Sequence, residues 1–126
     1  MKKKFKNVIF GTILGFVLVL PVTAQAASNT FWYSFKHELS SRAFSLKASR
    51  IYVYLDSYKY GEKGTFRVEL HRNTGWFSSE YIGYNNFGKN SKQTKSYKNN
   101  KSGNFWLKMK TKNTGKPIDG NGKIHN

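Results

Sequence analysis

The chain is 126 residues long, has no cysteine, and carries 22 lysines and arginines against 6 aspartates and glutamates, a formal net charge of +16. That length allows one domain, and the missing thiols exclude a disulfide framework or a cysteine-ligated zinc. Charge of one sign at this density steers a molecule toward polyanions and opposes compaction.

The N-terminus reads MKKKFKN, a basic head, followed by an apolar run from Val8 to Leu20 and by Ala24-Gln25-Ala26, an A-x-A cleavage site. A membrane span needs about 20 apolar residues, and Pro21 stops this run early. Residues 1–26 are therefore expected to be a helical secretory signal peptide, leaving 27–126 as a single exported domain with no stable transmembrane anchor. Its removal takes four lysines with it and leaves 18 basic residues against 6 acidic, a net charge of +12. A domain of this size buries somewhat over about 60% of its extended surface, so a core alone can hold it without disulfides.

Beyond residue 30 the hydrophobic period is two. Ile51, Val53 and Leu55 oppose Tyr52, Tyr54 and Asp56; Phe66, Val68 and Leu70 oppose Arg67, Glu69 and His71; Phe105, Leu107 and Met109 oppose Trp106, Lys108, Lys110 and Lys112. Each set reads as a half-buried strand. Weaker strands are expected at 31–39, 42–47, 79–84 and 92–98, with a short hairpin around DGNG at 119–122. Turn chemistry separates them: YGEKG at 60–64, NTG at 73–75, NNFGKN at 85–90, NNKSG at 99–103 and NTG at 113–115. Seven or eight short strands predict an all-β fold, a small antiparallel β-sandwich of jelly-roll or Greek-key type. The two NTG turns, 40 residues apart, reflect recurrent turn chemistry rather than a duplication, because their flanks do not match.

Lys89, Lys92, Lys95, Lys98 and Lys101 recur at every third position. On a helix this spacing would wrap round the cylinder; on a fully covered strand it would bury unpaired ammonium groups. A short edge strand near Thr94–Tyr97 with basic loops at both ends resolves the conflict, and lysine on such an edge also blocks sheet-to-sheet aggregation. With Lys108, Lys110, Lys112 and Lys116 the region gathers nine lysines and no carboxylate. A surface built only for solubility mixes both signs.

Eighteen of the residues 27–126 are aromatic. Tyr52, Tyr54 and Trp106 fall on outward positions and, with Trp76, are the candidate contact rings, since rings beside cations suit membrane interfaces, sugars and bases alike. Cross-strand packing is their structural alternative. Trp76 and Phe77 read as a plug folding back on the core, with insertion into an interface as the alternative.

Catalytic chemistry is thinly represented. A ribonuclease would need a Glu or His base, a His acid and an Arg on the phosphate; Arg67, Glu69, His71 and Arg72 with His37 and Glu38 are the residues that could serve. His37, His71 and His125 are too dispersed for a metal site, and DGNGKI places Lys123 where a calcium loop needs an oxygen. No cofactor, metal or catalytic set is expected. The expectation is a secreted monomer, non-enzymatic, held by anionic envelope polymers or an anionic lipid surface through the nine lysines and the contact rings. An antimicrobial, membrane-active protein is the first alternative and a secreted nuclease the second.

Overall fold

A computed structural model describes residues 29–126, so the expected signal peptide at 1–26 lies outside the described residues. Nine strands follow in order: β1 (Thr30–Phe35), β2 (Glu38–Ser40), β3 (Phe44–Leu46), β4 (Ile51–Tyr58), β5 (Thr65–Asn73), β6 (Ser79–Gly88), β7 (Ser91–Tyr97), β8 (Gly103–Lys110) and β9 (Ile118–His125). Every pairing is antiparallel, and no helix occurs among the described residues.

The strands form a four-stranded sheet, β1-β9-β4-β7, and a five-stranded sheet, β2-β8-β5-β6, with β3 also on β8. Only the β2–β3 and β5–β6 connections stay within one sheet; every other connection crosses to the opposite one. Alternation explains what lies between the sheets. Ile51, Val53 and Leu55 from one meet Phe66, Val68, Leu70, Phe105, Leu107 and Met109 from the other, all buried in a single apolar cluster. Aromatic rings bridge the layers, Phe35 edge-on to Phe66 at 5.7 Å and Phe31 tilted on Phe44 at 5.6 Å. The hydroxyls buried with them are satisfied: Tyr97 donates to the Val68 carbonyl at 2.9 Å, and Tyr33 lies 2.5 Å from Ser57 Oγ. Burial pushes both phenols far above their ordinary pKa.

Three local readings need correction. The DGNG segment is not a hairpin but the middle of β9, running unbroken between β1 and β4. Gly120 and Gly122 are there for close approach: a Cβ at Gly122 would come within 2.6 Å of Leu55 Cδ2 and the Tyr54 carbonyl, and one at Gly120 would overlap the Tyr33 ring. Asn85–Gly88, read as a turn, continue β6, and the turn is only Lys89-Asn90. Nine strands replace seven or eight partly because the strand expected at 31–39 is two, β1 and β2, separated at Lys36-His37 and placed in different sheets. Between β2 and β3 the chain leaves the ladder, but Ser41 keeps its hold on β8, its N–H donating to the Leu107 carbonyl and its Oγ accepting from the Leu107 N–H.

The long β5–β6 hairpin carries a bulge. Leu70 faces Gly83 but His71 faces Tyr81, so Ile82 is an extra residue. The consequence is on the outer surface, where Tyr81 and Tyr84, three apart, both stand beside β5.

Candidate functional site

Strand direction sets two ends. At one end lie the β5–β6 turn (74–78), the β7–β8 loop (98–102) and the β3–β4 loop (47–50). At the other lie the β1–β2 crossing (36–37), the β4–β5 loop (59–64), the Lys89-Asn90 turn and the β8–β9 loop (111–117).

The nine candidate lysines are distributed over these regions and do not share a face. Lys98 and Lys101 sit at the first end, and Lys89, Lys112 and Lys116 at the second. Lys108 and Lys110 stand on the outer face of the five-stranded sheet. Lys92 projects from the four-stranded sheet, while Lys95 lies inward along the edge, its Nζ 5.9 Å from the centre of the Phe87 ring. The expected edge strand is therefore present as β7. Four of the nine meet carboxylates: Lys89 with Glu62 at 3.4 Å, Lys101 with Glu80 at 3.4 Å, Lys108 with Glu38 at 3.3 Å and Lys110 with Glu69 at 3.6 Å. The contact rings are separated too. Tyr52 and Tyr54 belong to the outer face of the four-stranded sheet, Trp106 to that of the other, and Trp76 to the first end.

On the five-stranded sheet the alternation of β5 and β8 assembles a cluster that spans three strands. Glu69 is buried on this outer face; it accepts from Arg67 Nε at 2.8 Å and from His71 Nε2 at 2.9 Å. His71 is stacked on Trp106, whose Nε1 donates to Asn73 Oδ1 at 3.0 Å. The bulge supplies the remaining wall: Tyr81 meets the His71 ring edge-on, and the Arg67 guanidinium lies 3.8 Å from the centre of Tyr84. Burial raises the Glu69 pKa, but the hydrogen bonds from His71 and Arg67 and the charge of Lys110 outweigh it and lower the carboxyl to about 2. A carboxylate that weakly basic, with both oxygens engaged, is a poor proton acceptor at neutral pH. The cluster is suited to clamping β8, β5 and β6 together. Tyr81 and Tyr84 escaped the sequence reading, because their odd spacing puts them on opposite faces of any unbulged strand.

The other nuclease candidates do not converge on it. His37 donates from Nδ1 to the Thr111 carbonyl at 2.8 Å at the second end, Glu38 pairs with Lys108, and Arg72 donates to Glu80 and to the Ser102 carbonyl. No group of three or more potential metal ligands occurs among the described residues.

The first end has a different character. Trp76 and Phe77 are 93% and 98% exposed, so they do not plug the core as expected. Their turn is closed below them by the Thr74 N–H donating to the Ser78 carbonyl at 3.0 Å and by the two hydroxyls at 2.8 Å. Rings of this size bury about 150–250 Å² each when covered, and at about 25 cal/mol per Å² leaving both in water forgoes several kcal/mol. The loops at this end hold Lys47, Arg50, Lys98 and Lys101 and no carboxylate side chain; Arg72 and Glu80 stand just below them, at the end of β5 and the start of β6. Asn99 fastens the rim, its Nδ2 donating to the carbonyls of Lys47, Ser49 and Lys101. An open depression of about 460 Å³ is lined there by Arg50, Lys98, Asn99 and Asn100.

Comparison of the sequence with protein-family models and with curated proteins finds no match.

Proposed function

We propose that the protein is exported, non-enzymatic, and binds anionic components of a cell envelope, whether phosphate-bearing wall polymers or an anionic lipid surface. The frame in this reading is a jelly roll: with β2 and β3 counted as one interrupted strand there are eight, interleaved between two sheets. A fold of this kind carries no activity by itself.

One observation carries the proposal. All four glutamates are engaged by the protein's own cations, and the two aspartates, Asp56 and Asp119, lie on the outer face of the four-stranded sheet. The two ends are thereby left with exposed cations and no carboxylate partner for them among the described residues: Lys47, Arg50 and Lys98 at one, Lys36, Lys63, Lys112 and Lys116 at the other. The surface that attracts polyanions is thus bipolar, rather than the single flank expected from the lysine run.

The test is retention on isolated cell walls as salt is raised. Screening shortens the reach of exposed charge to about 8 Å at physiological ionic strength, so retention should fall steeply with salt. Retention indifferent to salt overturns the proposal.

A further inference from the structure

We infer that the β5–β6 turn is a membrane-docking tip, with Trp76 and Phe77 entering the interface of an anionic lipid bilayer. This inference rests on the envelope-binding reading and narrows it to one partner at one end.

Two cationic ends exist, but among the described residues only one of them bears bare rings. The second end has Tyr60 exposed, a ring with a polar hydroxyl, while the first presents an indole and a phenyl almost wholly in water. A soluble phosphate polymer needs only the cations. The apolar rings need a hydrocarbon boundary, and tryptophan in particular settles at the headgroup level of a bilayer.

The turn is built to hold the rings out. The bond between Thr74 and Ser78 closes it, and the Asn73–Ser79 pair ends the β5–β6 ladder immediately below. Hydroxyls of Thr74 and Ser78 sit at the neck, at the depth where phosphates and water would meet them if the rings entered the interface. The rings are 6.4 Å apart and tilted by 51°, so they spread sideways instead of covering each other.

Charge selects the lipid. Lys47, Arg50, Lys98 and Lys101 flank the tip, and exposed lysine or arginine near a membrane is drawn to anionic headgroups within about a Debye length. The same positive rim argues against a second copy as the occupant, since two tips brought together would repel. Glu80, at the start of β6 just below the tip, is already shared by Arg72 and Lys101.

The experiment uses the chain from Ala27 onward, which contains every residue of the two-sheet core. Binding is measured by co-sedimentation with phosphatidylglycerol–phosphatidylcholine vesicles and with pure phosphatidylcholine vesicles, alongside retention on isolated cell walls. The expected result is binding to the anionic vesicles only, reduced about tenfold or more in Trp76→Ala/Phe77→Ala, with wall retention and the urea midpoint unchanged. Binding of the double variant to anionic vesicles within about twofold of the parent overturns the inference, as does a dimer that the double variant abolishes. Salt-sensitive retention on walls with no vesicle binding overturns the inference and leaves the envelope-binding reading standing; loss of both overturns the two together.

Discussion

His71 lies flat on Trp106, with ring centroids 4.3 Å apart and planes within 12° of parallel. The stack joins β5 to β8 on a surface that would otherwise be open to water, and it sets His71 so that Nε2 points at Glu69. Trp106→Leu should lower stability by about 1–2 kcal/mol, since a stacked pair is worth about 0.5–1.5 kcal/mol beyond the area it buries. Urea denaturation checks this: the midpoint falls while the slope is unchanged.

Glu69 makes stability depend on acid. Its carboxyl is lowered from 4.5 to about 2 in the folded protein, so the stabilisation is complete above the unfolded value and is lost as pH falls from about 5 toward 2. At about 1.4 kcal/mol per unit the loss reaches about 3 kcal/mol. Unfolding free energies measured between pH 5 and pH 2 should show that decline, and Glu69→Gln should remove most of it while being less stable than the parent at pH 7. An equal decline in the variant would mean that other carboxylates are responsible.

Much of this surface was legible beforehand. The alternation in β4, β5 and β8 placed Ile51, Leu70 and Met109 inside and Tyr52, His71 and Trp106 outside, as found. The Tyr81–Tyr84 wall was not legible, because a bulge changes face without changing composition. Nor were Gly120 and Gly122, since glycine marks a turn or a close approach equally well, and only the opposing Tyr33 and Phe31 rings decide which. The nine lysines looked like one patch because they are contiguous in sequence, yet a turn, an edge strand, a loop and an interior strand carry them to different parts of the surface.

Gly122→Ala should be costly although both residues are small. The new methyl group would press on Leu55, the Tyr54 carbonyl and the Phe31 ring in the centre of the four-stranded sheet, and overpacking of this kind costs about 1–3 kcal/mol. Gly61→Ala meets no neighbour but forces a side chain into φ +71°, so its cost should be smaller, about 1 kcal/mol. Comparison of the two melting curves tests the order.

Lys59 is 1% exposed and its Nζ donates to Thr114 Oγ1 at 2.7 Å and to the Lys116 carbonyl at 2.5 Å. It ties the β8–β9 loop to the β4–β5 loop. Lys59→Met keeps the stem and removes the donors, so hydrogen exchange should accelerate at Asn113–Gly115 while the amides of β4 and β8 keep their protection. Unchanged exchange in the loop would show that the lysine is not what holds it.

The two cationic ends should separate by ligand. Lys112→Glu with Lys116→Glu should weaken retention on cell walls several-fold and leave binding to anionic vesicles nearly intact. Lys47→Glu with Lys98→Glu should weaken both. Equal vesicle losses from the two pairs would show that net charge, rather than the end with the rings, governs the lipid interaction.

In its ladder β1 has one neighbour, β9, with Thr30 opposite Lys123 and Phe35 opposite Ile118. The opening strand of the sheet must therefore wait for the closing one to be synthesised. Contacts of such long sequence separation slow folding, so the β1–β9 ladder, and with it the full four-stranded layer, cannot form until both strands have been made.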